Sequence, residues 1–249
     1  MSSLRITRNV GPTEASHVCT RMSNEQTTAA ERSATPVVRR PQVEGAALFI
    51  PKGLTLAQLP VVAQSCRGCD LYAHATQAVC GEGPKSSRIM FVGEQPGDRE
   101  DLQGRPFVGP AGRVFNAALE EAGIDRSQVY VTNAVKHFKF EDRGKLRLHK
   151  RPRVSEIKAC RPWLETEACL LQPEAIICLG ATAAQSVLGN DYRHTIERAS
   201  FVPHPWAPRV AWTIHPSAIL RVQDAAARHI EHERFVADLK QFRKVVLQR

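Results

Sequence analysis

Short β-branched runs alternate with helix-patterned stretches along most of this chain, and that alternation leaves few folds open. Candidate strands lie at Arg88–Val92, Val129–Val135, Ala175–Leu179 and Arg209–Ile214. Helical patterns cover Gly112–Ala122, Ser155–Leu171, Ala181–Leu188 and a final stretch of roughly Ala225–Leu247, where Ile230, Phe235, Leu239 and Phe242 fall near helical spacing. The fold class expected from this order is α/β with a largely parallel sheet, and there are no internal repeats. In such sheets ligands bind at the carboxyl ends of the strands. Three unusual segments fall there: Gly93-Glu94-Gln95-Pro96-Gly97, Asn133, and His215-Pro216-Ser217.

Of the 249 residues, 1–44 have no apolar periodicity and are rich in Ser, Thr, Arg and Pro, which predicts a disordered basic tail ahead of one folded domain at 45–249. Cys19 in that tail reads as a free thiol, and Met22 is a candidate natural start. Acidic residues are absent before Glu14, as in a mitochondrial presequence, but no amphipathic helix forms there. No apolar run approaches the ~18 residues needed to span a bilayer, and no secretory signal is recognisable. The expectation is a soluble, cytoplasmic, monomeric protein with no membrane partner.

The net charge of +9 suggests a polyanionic partner and says nothing about fold. Its distribution is more informative: Lys136, Lys139, Arg143, Lys145, Arg147, Lys150, Arg151 and Arg153 stand against only Glu141 and Asp142. A solvated charged loop and a DNA-binding loop both fit that pattern.

Seven cysteines without an export signal argue against a disulfide framework. Cys66-Arg-Gly-Cys69 can place two thiolates on one metal or cluster. A four-thiolate zinc site would want a second such pair, so a cluster with ligands far along the chain fits better. A thioredoxin-like pair should follow a strand, whereas this one precedes the first. Cys169 and Cys178, in apolar stretches, read as core residues.

Glu94 and Gln95 sit in a loop bounded by glycines and stiffened by Pro96, a shape that lets backbone amides approach a ligand; an ordinary strand-to-helix turn reads the same. Phe107, in a rigid Gly/Pro-rich segment, could stack a base or belong to the core. His215 could donate a hydrogen bond to a carbonyl or be structural.

Taken together and in order, Gly93-Glu-Gln-Pro-Gly-Asp98, Gly104-Arg-Pro-Phe-Val-Gly-Pro-Ala-Gly112, Val131-Thr-Asn-Ala-Val-Lys136 and His215-Pro-Ser-Ala-Ile-Leu-Arg221 closely resemble the iron–sulfur uracil-DNA glycosylases. Within that group the Gly-Glu-Gln-Pro-Gly form, Val135-Lys-His-Phe-Lys139 and the basic loop ending in His149 resemble the UdgX type. The resemblance covers roughly Leu48 to Leu247. It implies a three-layer α/β/α fold with a central four-stranded parallel sheet, and a 4Fe–4S cluster held by Cys66, Cys69, Cys160 and His137, with Cys80 as the rival fourth ligand; the want of an obvious electron partner favours a structural role for it. Imidazole ligates clusters in Rieske centres.

The same resemblance implies uracil-containing DNA, single-stranded favoured, as substrate. Asn133 would pair with the uracil edge, Phe107 would stack on its face, and Gly93 with the Gln95 backbone would meet a carbonyl oxygen. Lys136, Ser217 and Arg221 would also lie on the DNA, with Asp98 and Asp101 positioning the reacting groups. His215 would stabilise the departing uracil and Glu94 the sugar cation. His149 would attack the anomeric carbon and remain bonded, since an alkylated imidazole leaves poorly. Relatives read Lys-Arg-Arg-Ile-His where this chain has Lys145-Leu146-Arg147-Leu148-His149, so Leu146 departs from the pattern. A conventional glycosylase that turns over, and a DNA-binding scaffold with a vestigial site, are the competing readings.

Overall fold

The computed structural model describes residues 45–190, 192 and 196–247. The tail expected at 1–44, with Cys19 and Met22, lies outside the described residues. Among the described residues seven strands form: β1 Ile89–Gly93, β2 Tyr130–Asn133, β3 Phe140–Arg143, β4 Leu146–His149, β5 Ala175–Leu179, β6 Val202–His204 and β7 Ala207–Thr213. The principal helices are α1 Asp98–Gln103, α2 Pro110–Glu121, α3 Val154–Leu171, α4 Ala181–Leu188, α5 Pro216–Arg221 and α6 Ala225–Val246.

Five strands make a mixed sheet in the order β2-β1-β5-β7-β6. The first four are parallel, with Gly93 paired to Asn133 and Cys178 to Trp212. β6 then adds an antiparallel edge to β7. The expected four-stranded sheet is therefore corrected to five. β6 is three residues, Val-Pro-His, too short for a periodic signal, and its proline removes a donor that only an edge strand can spare.

β1 and β5 are buried along their whole length, as in a parallel sheet covered on both faces. Successive side chains alternate between those faces. Ile89, Phe91, Val131 and Ile177 pack with Phe115 and Leu119 of α2 and Phe235, Leu239 and Phe242 of α6. Met90, Val92, Ile176 and Cys178 pack on the other side with Leu164 and Ala168 of α3 and Ala183 and Val187 of α4. Cys178 is thus a core residue as expected, while Cys169 is only half-buried. Truncating one of these large side chains costs about 3–5 kcal/mol. A third apolar cluster joins the segment before β1, through Leu54, Leu59 and Ala63, to Val135, Ile157 and Trp163.

The segment read as a basic loop is an antiparallel hairpin, β3–β4, pairing Phe140 with His149 and Arg143 with Leu146. Gly144 turns it at φ +62°, a conformation two-residue hairpin connections demand. Charge dominates the segment and conceals the Gly-Lys turn. Among the described residues no helix is long and apolar enough to cross a membrane.

Candidate active site

The carboxyl ends of β1 and β2 and the segment after β7 converge on one site. Gly93 closes β1, and a Cβ there would stand 2.3 Å from Asn133 Oδ1 and 2.8 Å from Phe107 Cζ. Only glycine allows the amide and the ring to converge so tightly. Phe107 holds φ +57°, strained for a residue with a Cβ. Its surroundings enforce that backbone. A Cβ on Gly112 would strike the Phe107 carbonyl at 1.8 Å, and Glu100, in α1, accepts the Gly109 N–H at 2.8 Å. The Phe107 ring lies 6.0 Å, centroid to centroid, from that of His215.

His215 caps α5. Its Nδ1 accepts the Ser217 backbone N–H at 3.1 Å and lies 2.8 Å from Ser217 Oγ. A ring nitrogen that accepts carries no proton, so the hydrogen resides on Nε2. Burial, reinforced by Arg221 and His149, pushes the His215 pKa down to about 4. At neutral pH the ring is an uncharged donor. Arg221, exposed, donates to Ser217 Oγ at 3.2 Å.

His149 ends β4, and its tautomer follows from Gln95. The Gln95 amide oxygen accepts the Lys139 N–H at 3.1 Å. Its Nε2 approaches the carbonyls of Lys139 at 3.2 Å and Lys150 at 3.0 Å, and His149 Nε2 at 2.9 Å. The three backbone contacts fix which end of the amide is nitrogen. An NH2 group only donates, and its two hydrogens face three acceptors; an N–H on His149 Nε2 would oppose them, so the lone-pair tautomer is the one this contact favours. Burial holds the His149 pKa below its usual value, opposed by Glu94 and assisted by Arg221. Glu94 Oε1 lies 3.6 Å from the same nitrogen, and Thr182 Oγ1 donates to Glu94 Oε2.

The hairpin that carries His149 is fastened by Arg147. Its Nε donates to Asp98 Oδ1 and its Nη1 to Asp101 Oδ2, both at 2.6 Å, and its guanidinium covers the rings of Phe138 and Phe140. The fully buried Asp101 also accepts the Thr76 N–H at 3.0 Å. Asp98 and Asp101 both hold Arg147, so what they position is the hairpin that carries His149. The expectation for Lys136 is corrected. Its Nζ lies 2.7 Å from Glu167 Oε2, with the two side chains 1% and 0% exposed, so it cannot reach a phosphate.

Of the eight basic residues from Lys136 to Arg153, four are spent on carboxylates: Lys136 on Glu167, Lys139 on Glu156, Arg147 on Asp98 and Asp101, and Lys150 on Glu141. Arg143, Lys145, Arg151 and Arg153 remain exposed, and these are the charges available to a polyanion.

Cys66, Cys80 and Cys160 share the third apolar cluster, with Cys69 packed beside it. Trp163 Nε1 donates to Cys66 Sγ and the Lys136 N–H to Cys160 Sγ, both at 3.2 Å. N–H groups aimed at sulfur suit thiolate ligands, whose potential and charge such bonds tune. Burial pushes the Cys80 and Cys160 thiols up to about 12, so deprotonation there calls for a bound cation. Among the described residues no three ligating groups meet at one point as around a single metal ion; ligands of a cluster bind separate irons and stand further apart. His137 is buried, with its pKa lowered to about 4 by that burial, and the charges acting on it are those of Asp101 and Arg67.

Residues 80–240 match the model of the uracil DNA glycosylase superfamily. The chain belongs to that superfamily. It is 37% identical over 169 residues to the type-4 uracil-DNA glycosylase of Thermotoga maritima, covering 67% of this chain and 84% of that protein. It is 36% identical over 165 residues to the type-4 enzyme of Sulfurisphaera tokodaii, covering 63% and 71%. A third relative, the type-4 enzyme of Pyrobaculum aerophilum, is 33% identical over 175 residues, covering 68% and 86%.

In this superfamily member the residues expected to meet a base, Gly93, Phe107 and Asn133, do converge, and Glu94, His149 and His215 join them. Three contributors escaped sequence reasoning. Thr182 and Glu100 belong to no motif, and the Gln95 side chain, although Gln95 itself stands in the Gly93–Gly97 motif, was expected to act through its backbone alone and meets partners 44 to 55 residues away. The only available signal was for Thr182, which directly follows Gly180-Ala181 at the carboxyl end of β5.

Proposed function

We propose that this protein is a UdgX-type uracil-DNA glycosylase: it excises uracil from DNA, single strands favoured, and captures the sugar on His149. Membership in the superfamily and the type-4 relatives support the excision. The observation that carries the capture is the place of His149 Nε2, 2.9 Å from Gln95 Nε2 and 3.6 Å from Glu94 Oε1.

A glycosylase acts on a base out of the stack. Phe107 would face the flipped uracil, Asn133 would read its edge, and the Gln95 backbone would meet a carbonyl oxygen. As the bond between C1′ and N1 breaks, its electron pair leaves with uracil. The His215 Nε2–H donates to the developing oxyanion, and a neutral donor there adds stabilisation without having to give up its proton. The Glu94 carboxylate faces the positive charge growing on the sugar, as carboxylates do in O-glycoside cleavage. The His149 Nε2 lone pair then forms the bond to C1′. The resulting imidazolium releases its Nδ1 proton to solvent, leaving a neutral N-alkyl imidazole that is a poor leaving group.

The cysteines gathered at the third apolar cluster, two of them accepting N–H groups, support a 4Fe–4S cluster held by Cys66, Cys69 and Cys160. When bound, such a cluster would tie the segment before β1 to α3 as a structural cross-link. His137 takes the fourth position by resemblance, with Cys80 the competitor already among the thiols. Iron content decides between them: His137→Ala should lose iron and Cys80→Ala retain it, and the reverse result assigns Cys80.

A second reading, conventional excision with turnover, draws on the His149 side chain being 50% exposed, which admits water to the sugar. A denaturing gel of protein mixed with uracil-containing single-stranded DNA separates the readings. A heat-stable shifted band supports capture. Free DNA that breaks under alkali supports turnover, and intact DNA removes the excision reading altogether.

A further inference from the structure

The Lys136–Glu167 pair has no part in the chemistry above, yet it stands between the cysteine pocket and the base pocket. All three ammonium hydrogens of Lys136 are used, on Glu167 Oε2 at 2.7 Å, Thr132 Oγ1 at 2.8 Å and the Asn133 carbonyl at 2.8 Å. Thr132 Oγ1 in turn donates to Glu167 Oε2 at 2.8 Å. On the other side, the Lys136 backbone N–H is held by Cys160 Sγ, and its carbonyl accepts the Val79 N–H at 2.8 Å. Glu167 Oε1 accepts the Gly81 N–H at 2.8 Å. Both neighbours of Cys80 are therefore fastened to this one ion pair.

Stability alone is a weak reason for such a pair, because well-packed apolar residues of similar volume often serve as well. Its placement supplies a better one. β2 is an edge strand. Its inner side continues past Asn133 through the Ala134 N–H to Gly93 and the Val135 N–H to Glu94, while the Asn133 carbonyl goes to the lysine. The backbone of Asn133 is thus gripped on two sides, and its amide oxygen is pressed against Gly93.

We propose that Lys136, held by Glu167, is a positioning residue for base recognition, fixing Asn133 so that its amide offers one orientation to the base. This deepens, and rests on, the uracil-excision reading. The chemistry of the two pyrimidines explains the need. An amide that accepts from uracil N3–H and donates to O4 would, turned end for end, donate to cytosine N3 and accept from its amino group. A loosely held amide can pair with either base, whereas a fixed one cannot.

The test uses the full chain with its iron. Lys136→Met combined with Glu167→Gln removes both charges together and strands neither. Iron content and thermal denaturation report the fold. Single-turnover excision of uracil and of cytosine, and competitive inhibition by free uracil, report recognition. Inhibition by uracil should weaken about tenfold, the size of losing one well-aligned hydrogen bond, and the cytosine-to-uracil excision ratio should rise. Adding Asn133→Ala should cause no further loss beyond Asn133→Ala alone, since the two changes act on one contact. Thr132→Val, which removes only the hydroxyl shared by the pair, should show the same trend at smaller size and serves if the double variant does not fold. An iron-loaded, folded variant with wild-type uracil inhibition and discrimination, or losses that add to those of Asn133→Ala, overturns the positioning role. Wild-type protein that leaves uracil DNA intact sinks the excision reading, and the positioning role falls with it.

Discussion

His215 stands near enough to His149 to feel its charge, but the protein holds the two rings by opposite means. His215 is fixed from within its own segment: a helix cap, a backbone N–H two residues on, and burial. His149 sits half-exposed on a hairpin whose seat depends on side chains from elsewhere, the Gln95 amide and the Arg147 pairs with Asp98 and Asp101. The difference teaches which role each can fill. Stabilising an oxyanion depends on a donor whose direction is set before the reaction, since a preorganised dipole needs no rearrangement as charge develops. A nucleophile must instead close the last distance to carbon, and a ring on a latched hairpin can move.

The largest effect that would break this comparison is loss of the adduct. His149→Ala should abolish the heat-stable band on a denaturing gel while single-turnover excision continues; a persisting band would mean another residue is the nucleophile. His215→Ala should slow excision itself by about 10²–10³-fold, the usual effect of removing one oxyanion donor, measured in a single turnover with excess protein. Unchanged excision would strip His215 of its role.

Arg147→Met sharpens the distinction further. It leaves Asp101 buried without its cation, which should cost about 3–5 kcal/mol by denaturant unfolding. Capture should suffer more than excision, because the hairpin loses its latch while His215 keeps its cap. Equal losses in both would show that the hairpin does not hold the nucleophile separately.

The smallest effects are those of pH. Both rings must be neutral to act, and both have pKa values held below 6.5. Capture should therefore remain level as pH falls to 6.5 and decline only at more acid values, in a single-turnover pH series. Stability follows the same sign. The unfolded chain protonates His215 near 6.5 and the native protein only near 4, so acidification over that window favours unfolding. Thermal denaturation of wild type against His215→Ala should show the variant losing less stability across it.

Much of the sheet was legible because its strands are strongly apolar and its helices long. Ala175–Leu179 and Ala181–Leu188 match the structure end to end. Elements with weak patterns were not: α1 is six residues, mostly charged, and the hairpin alternates under a surplus of charge. The motif residues Gly93, Phe107, Asn133 and His215 could be assembled from their order along the chain. What each charged side chain does with its charge could not. Lys136 and Arg143 read alike in the basic segment, yet one is sealed inside against Glu167 and the other stands in solvent.

By itself the sequence determined the α/β class, the parallel core of the sheet and the strand ends where the site collects, because hydrophobic periodicity and motif order are local properties. Only the tertiary structure decided the fifth strand, the hairpin under His149, the tautomers of the two histidines and the partners of Asp98, Asp101 and Lys136. Those depend on distances between residues remote in sequence, where a charge is defined by what it meets.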